Sequence, residues 1–204
     1  MGLRERKKQA TRAALSWAAI QLVVERGFDN VLVEDIANAA GVSPRTFNNY
    51  FSSKAEAVAA RHLDRSAKMA EDLRDRPADE PLWTAIRHAL LAQLEPGPEV
   101  ADHPVGNRER WAAGISAMMA APSLQAEFLR AGATAETEVA AAVAERTKTV
   151  VGRNLYPSLV AAAVNAANMV CQQQYLQGDA QADMKSLLIE ALDLIEAGLP
   201  DPSA

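Results

Sequence analysis

Apolar residues recur at three- and four-residue steps through residues 4–26, at Leu15, Ala18, Ala19, Leu22 and Val23, and the run stops at Gly27. That period predicts an amphipathic helix with a basic leading end and a glycine just past its last turn. A short second helix is predicted over 33–40 and is closed by Gly41. A third opens with Ser43 as N-cap and Pro44 at the first helical position, where the missing N–H costs nothing. Ser53 and Glu56 stand three apart, the spacing of a capping box, and start a fourth helix that runs to about Arg76.

Pro77, Pro81, Pro96, Pro98, Pro104 and Pro122 punctuate the middle of the chain. They divide it into helices near 80–95, 104–120 and 122–149, with a loose loop over 95–107. Beyond Gly152, residues 156–177 and 181–197 read as two last helices, with Gly178 and Asp179 between them and Gly198 after the second. Residues 200–204 read as a frayed end. No stretch shows the period-two alternation of a half-buried strand, so the predicted class is all-α with about nine helices.

Composition strengthens this reading. Apolar residues make up 49% of the 204 and aromatics only 5%, a mix that suits helices in close packing. The formal net charge of -5 argues against a polyanionic partner until its distribution is examined. Residues 1–55 hold eight Lys/Arg against five Asp/Glu, and the remainder thirteen against twenty-one, so a basic head precedes an acidic body. The single cysteine, Cys171, forms no internal disulfide and reads as inert core in a reducing cytoplasm. The charged N-terminus lacks the apolar core of a signal peptide, and no run approaches a membrane span. His62, His88 and His103 have no neighbours that suggest a triad or metal site, and no glycine-rich phosphate loop is present, so neither an enzyme nor a cofactor is expected.

The stretch from Val33 to Lys54 carries the functional signal: two short helices joined by a tight turn at Gly41, the geometry of a helix-turn-helix. Phe47 and Phe51 lie four apart and share one face, with Ile36, Ala40 and Val42 as partners. Arg45, Asn48 and Asn49 then project from the opposite face, where Arg can pair with guanine and Asn with adenine. Thr46 and Tyr50 flank that face with hydroxyls suited to phosphates. A solvated surface helix would show the same polar face. The glycine turn, the Ser-Pro start, the spaced aromatics and the basic residues Arg4, Arg6, Lys7, Lys8 and Arg12 tip the balance toward DNA.

At these residues the chain resembles the TetR family of one-component regulators. It matches the family's segment from Val33-Glu34-Asp35-Ile36-Ala37 through Gly41-Val42-Ser43 to Tyr50-Phe51 and Ser53-Lys54. The resemblance implies a DNA-binding domain over 1–55 and a larger helical ligand-binding and dimerisation domain over 56–204. It implies a homodimer on a palindromic operator, most simply a repressor that a small molecule releases. Arg45, Asn48 and Asn49 become base readers, Thr46 and Tyr50 phosphate contacts, and Lys54 a backbone contact aided by the N-terminus of the fourth helix. Three positions depart from the family. Leu32 stands where Ser or Thr usually caps the second helix, and Asn48 and Asn49 replace the usual aromatic, Arg or His, so no operator sequence transfers.

The second domain is less explicit. Trp83, Trp111, Met118, Phe128, Asn168 and Gln172 are candidate ligand residues, because aromatics and Met serve both as core fillers and as pocket walls. Asn165, Asn168 and Gln172 share a face of the eighth helix and either meet a pocket, cross a dimer interface or form a solvated stripe. The expected effector is mostly apolar, acyl-chain-like or a hydrophobic drug. The expected dimer contact lies in 156–177, whose Ala-rich run from Leu159 to Ala167 permits close approach, and in 181–197, where Leu187, Leu188, Ala191, Leu194 and Ile195 form a seam. The competing reading is a ligand-independent architectural DNA-binding protein, which needs no effector.

Overall fold

The computed structural model describes residues 2–95, 108–177 and 183–201. Among them the chain forms nine α-helices and no strand: α1 Leu3–Arg26, α2 Val33–Ala39, α3 Pro44–Asn48, α4 Lys54–Asp75, α5 Leu82–Ala92, α6 Arg108–Ala120, α7 Pro122–Thr147, α8 Leu155–Gln177 and α9 Met184–Glu196. A single 3-10 turn, Phe28–Asn30, joins α1 to α2. Of the predicted features, the loop beyond Glu95, the Gly178-Asp179 turn and the last residues, 202–204, lie outside the described residues.

The chain divides into two compact units, one drawn from residues up to 63 and from 108–131, the other from 64–95 and from 132 onward. In the first unit α1 is the central rod. Its Leu15, Ala19 and Val23 pack with Val31, Ile36, Ala37, Phe47, Phe51, Val58 and Leu124 in one apolar core. Burying a side chain such as Phe47 or Ile36, both fully enclosed, contributes roughly 1.5–3 kcal/mol each. Helix α6 lies along α1 with Trp111, Ile115 and Met118 against that core, and Gly114 touches Val24 directly.

In the second unit Leu73, Ile86, Val143, Val164, Leu188 and Leu192 close a separate core fed by α4, α5, α7, α8 and α9. Cys171 is buried there, and apolar burial pushes its thiol pKa up, which keeps it protonated and unreactive. A polar knot fastens one end. Arg76 holds Glu80 through Nε at 2.6 Å and Nη2 at 2.5 Å, and His88 meets the same carboxylate at 2.8 Å. The Arg146 guanidinium donates to the carbonyls of Arg76, Pro77 and Glu80, tying the last turn of α7 to the proline-marked bend before α5. On the far side of α5, Arg87 reaches Asp193 and Glu196 of α9.

Helix α9 is stopped from unravelling by Asp183, whose carboxylate accepts from the N–H groups of Lys185 and Ser186. The seam predicted on α9 is mostly intramolecular: Leu187 and Leu188, with Leu192, are buried in this unit's own core, while Leu194 is exposed.

Candidate nucleic-acid interface

Helices α2 and α3 owe their short lengths to local chemistry. Leu32 offers no side-chain acceptor at the start of α2, but the Asp35 carboxylate reaches back to accept the Leu32 N–H at 2.9 Å. Half of a capping box therefore survives without its Ser or Thr. The turn after α2 depends on Gly41, whose φ of 67° lies in the left-handed region that side chains disfavour. There the Val42 N–H returns to the Ala37 carbonyl at 2.9 Å, so the chain reverses within three residues. Ser43 then caps α3 by accepting the Thr46 N–H at 3.1 Å, with Pro44 at the first helical position.

Helix α3 buries Phe47 completely and sets its ring 5.7 Å from that of Phe51, with Val42 and Tyr50 packed on the same core. The opposite face of the same short helix meets solvent. Arg45, Asn48 and Asn49 are all exposed, and no hydrogen bond or ion pair from their side chains is found among the described residues. The helix ends at Asn48, so Asn49 presents its amide from the C-cap position. Thr46 is half-buried and shares a 2.9 Å hydroxyl bond with Ser43. Tyr50 is half-buried and packs against the core.

Lys54, expected to meet the DNA backbone, is also engaged within the chain. Its ammonium donates to the carbonyls of Phe28 at 2.6 Å and Val31 at 2.9 Å and sits 4.3 Å over the Phe28 ring. Two of its three donors are thus spent on the α1–α2 connection, and one remains. The capping box of α4 is also displaced. Ser53 accepts the Glu56 N–H at 3.0 Å, but the Glu56 carboxylate bonds the N–H and hydroxyl of Ser52, both at 2.7 Å, instead of the Ser53 N–H.

The basic residues at the N-terminus are not a separate arm among the described residues. Arg4, Arg6, Lys7 and Lys8 ride on the exposed first turns of α1. Arg12 continues the series, with its guanidinium 4.7 Å above the Phe51 ring, a cation–π contact that fixes the basic end of α1 to the base of the helix-turn-helix.

The six candidate ligand residues fall into two groups. Trp111, Met118 and Phe128 pack in the first unit, and Trp111 faces Trp17 at 5.4 Å between ring centroids. Trp83, Asn168 and Gln172 belong to the second unit, with Trp83 on its core and both amides half-buried on α8. Asn165, on the same face of α8, donates to Glu136 at 2.8 Å, which accounts for one of the three polar side chains as an internal bond. Trp17 and its neighbour Arg61 were not singled out by the sequence pattern, because a Trp within an amphipathic helix reads as core.

Comparison with known proteins gives the same answer as the geometry. Residues 17–60 match the family described as bacterial regulatory proteins, tetR family, and residues 80–200 match the MftR C-terminal domain. The HTH-type transcriptional regulator TcmR of Streptomyces glaucescens is 31% identical over 205 residues, covering 97% of this chain and 88% of its own. Among solved structures, the fatty acid degradation regulator FadR of Bacillus halodurans shares the fold with a TM-score of 0.58 at 14% identity, over 93% of this chain and 96% of that one. Thermus thermophilus FadR, a repressor solved with lauroyl-CoA, gives 0.55 at 20% identity, over 95% and 97%. With a helix-turn-helix whose polar face is turned outward, an all-helical remainder and these relatives, the chain belongs to the TetR family of transcriptional regulators.

Proposed function

We propose that this regulator is a cytoplasmic, ligand-released repressor that binds a palindromic operator as a homodimer. The observation that carries the reading is the outward face of α3, where Arg45, Asn48 and Asn49 stand exposed on a helix anchored from behind by fully buried Phe47. An α-helix so presented fits the major groove, with Arg and Asn reading base edges and Thr46 and Tyr50 meeting phosphates. Lys54 adds its one remaining ammonium donor to the backbone contact. The basic turn of α1 supplies further charge toward the backbone or minor groove.

The pairing of two copies is supported by α8. Leu155, Leu159, Ala162, Ala166, Met169 and Val170 form an exposed apolar stripe, with Leu159 and Val170 left 62% and 59% exposed. A stripe of that length on one helix face calls for a covering partner, and its small residues suit close helix approach. DNA-binding is assigned to residues 1–55, and effector binding and dimerisation to 56–204. The effector is assigned as a mostly apolar small molecule, in keeping with the candidate residues Trp83, Trp111, Met118, Phe128, Asn168 and Gln172 and with the lauroyl-CoA held by the Thermus relative.

Selection of random DNA by the purified protein tests the reading directly. A two-fold sequence whose half-site centres lie about one helical turn, roughly 34 to 36 Å, or a multiple of it, apart is expected. Recovery of DNA with no common sequence would instead favour an architectural binder.

A further inference from the structure

Trp17 is only 6% exposed, and its indole N–H is buried with no acceptor among the described residues. An unmet buried N–H forfeits its hydration without recompense, and few native groups are left so. Two features surround it. The Arg61 guanidinium lies 5.0 Å over the Trp17 ring, and the Trp111 indole stands 5.4 Å away at 46°. Ile115 and Met118 from α6, and Leu124 and Phe128 from α7, belong to the same apolar core as Trp17. A donor without an acceptor, a cation beside it and an apolar core describe one end of a site for an amphipathic anion.

We infer that an organic carboxylate with an apolar body binds between α1 and α6 of the first unit, its head group accepting the Trp17 N–H in the field of Arg61. The inference rests on the ligand-released reading above, but it moves the head-group contact out of residues 56–204 and onto Trp17 of α1, the helix that packs on the helix-turn-helix. The carboxylate forms a charge-assisted bond, stronger than a neutral one, and its tail replaces apolar contacts along α6.

The geometry also indicates what binding does. Two of the contacts between α1 and α6 differ in kind. At Val24 and Gly114 they meet at backbone distance, since a Cβ on Gly114 would lie 2.6 Å from the Val24 carbonyl oxygen. At Trp17 and Trp111 the contact is made through two indole rings, 5.4 Å apart between centroids. Because Trp17 is enclosed, a head group reaches it only by parting the helices at the indole end, with the glycine contact as pivot. Helix α1 packs directly on α2, so that displacement re-aims α3. Ligand and DNA then favour different settings of α1, and each weakens the other by the same factor.

The test uses the full chain, its selected operator and laurate as probe, with dodecylamine as the cationic control. Laurate is expected to change indole emission and to lower operator affinity, while dodecylamine does neither. Trp17→Phe keeps an aromatic ring, though a smaller one, and removes the N–H, and should need about tenfold to a hundredfold more laurate for the same release. Arg61→Gln should weaken laurate alike, and it carries the test if Trp17→Phe melts early. Trp111→Phe, which removes no head-group donor, should alter the emission change with little effect on affinity. Equal potency of laurate on the wild type and both head-group variants overturns the site, as does dodecylamine acting as well as laurate. A different class of compound that releases the operator from wild type and Trp17→Phe equally overturns the site and leaves the ligand-released reading standing. If no compound in a broad metabolite panel releases the operator, both fall.

Discussion

Gly114 of α6 sits so close to Val24 of α1 that a methyl group built on it would lie 2.5 Å from the Val24 Cγ1 and 2.6 Å from the Val24 carbonyl oxygen. Within a helix, Ala in place of Gly normally gains about 0.5–1 kcal/mol. Here the obstacle includes backbone, which cannot swing aside. Gly114→Ala is therefore expected to destabilise the protein by roughly 1–3 kcal/mol, the usual cost of overpacking, and to change operator affinity through α1. Urea denaturation and operator titration measure both, and a stabilised variant would refute the contact.

The outward face of α3 makes a sharper prediction. Asn49→Ala should cost on the order of 1–3 kcal/mol on the selected operator while scarcely changing affinity for random DNA, and Arg45→Ala should do the same at a different base pair. Equal losses on both DNAs would remove these residues from the role of base readers.

Lys54→Met should show a different signature. Loss of the two carbonyl bonds to Phe28 and Val31 predicts a stability decrease of roughly 1–3 kcal/mol. All DNA should be bound more weakly, because the α1–α2 connection loosens. The salt dependence should change by less than the full step of about 0.9 in log–log slope that a lost phosphate contact produces. A full step with unchanged melting would make Lys54 primarily a phosphate ligand.

The Glu80 carboxyl is held down to a pKa of about 2, chiefly by its hydrogen bonds from Arg76 and further by His88. A depressed carboxylate adds stability that is present above its unfolded value, near 4.5, and is lost as pH falls toward 2. Thermal melts of wild type and Glu80→Gln should accordingly differ most above about pH 4.5 and converge by about pH 2. A constant difference across that window would deny the carboxylate its part in the knot.

Dimerisation is expected to fail in Leu159→Glu and in Val170→Glu, each placing a charge on the exposed stripe of α8 without touching the buried side, where Val160, Val164 and Cys171 face the core. Sedimentation at micromolar concentration should show dimer for the wild type and monomer for both variants. Operator binding should weaken in parallel while random-DNA binding persists.

The helix-turn-helix was legible because every device that builds it is local. Gly41 reverses the chain, Ser43 caps α3 with its own hydroxyl, and the four-residue spacing of Phe47 and Phe51 fixes which face points inward. The cap of α2 was less legible. The family's Ser or Thr is absent at Leu32, and the compensating bond comes from Asp35, three residues ahead. The capping box at Ser53 was readable in its spacing, yet Glu56 chose Ser52, a choice that depends on how the chain enters the helix.

Periodicity alone therefore determined that this chain is all-helical, where most helices start and stop, and which side of α3 meets solvent, since those depend on interactions within about four residues. Only the tertiary structure decided what long side chains do once distant helices arrive. Lys54 turns to two carbonyls more than twenty residues away, and Trp111 faces Trp17. The indole N–H of Trp17 ends buried with no acceptor among the described residues. Nothing in a helical period records which partners an ammonium or an indole will find, because those partners are set by packing between segments far apart in the chain.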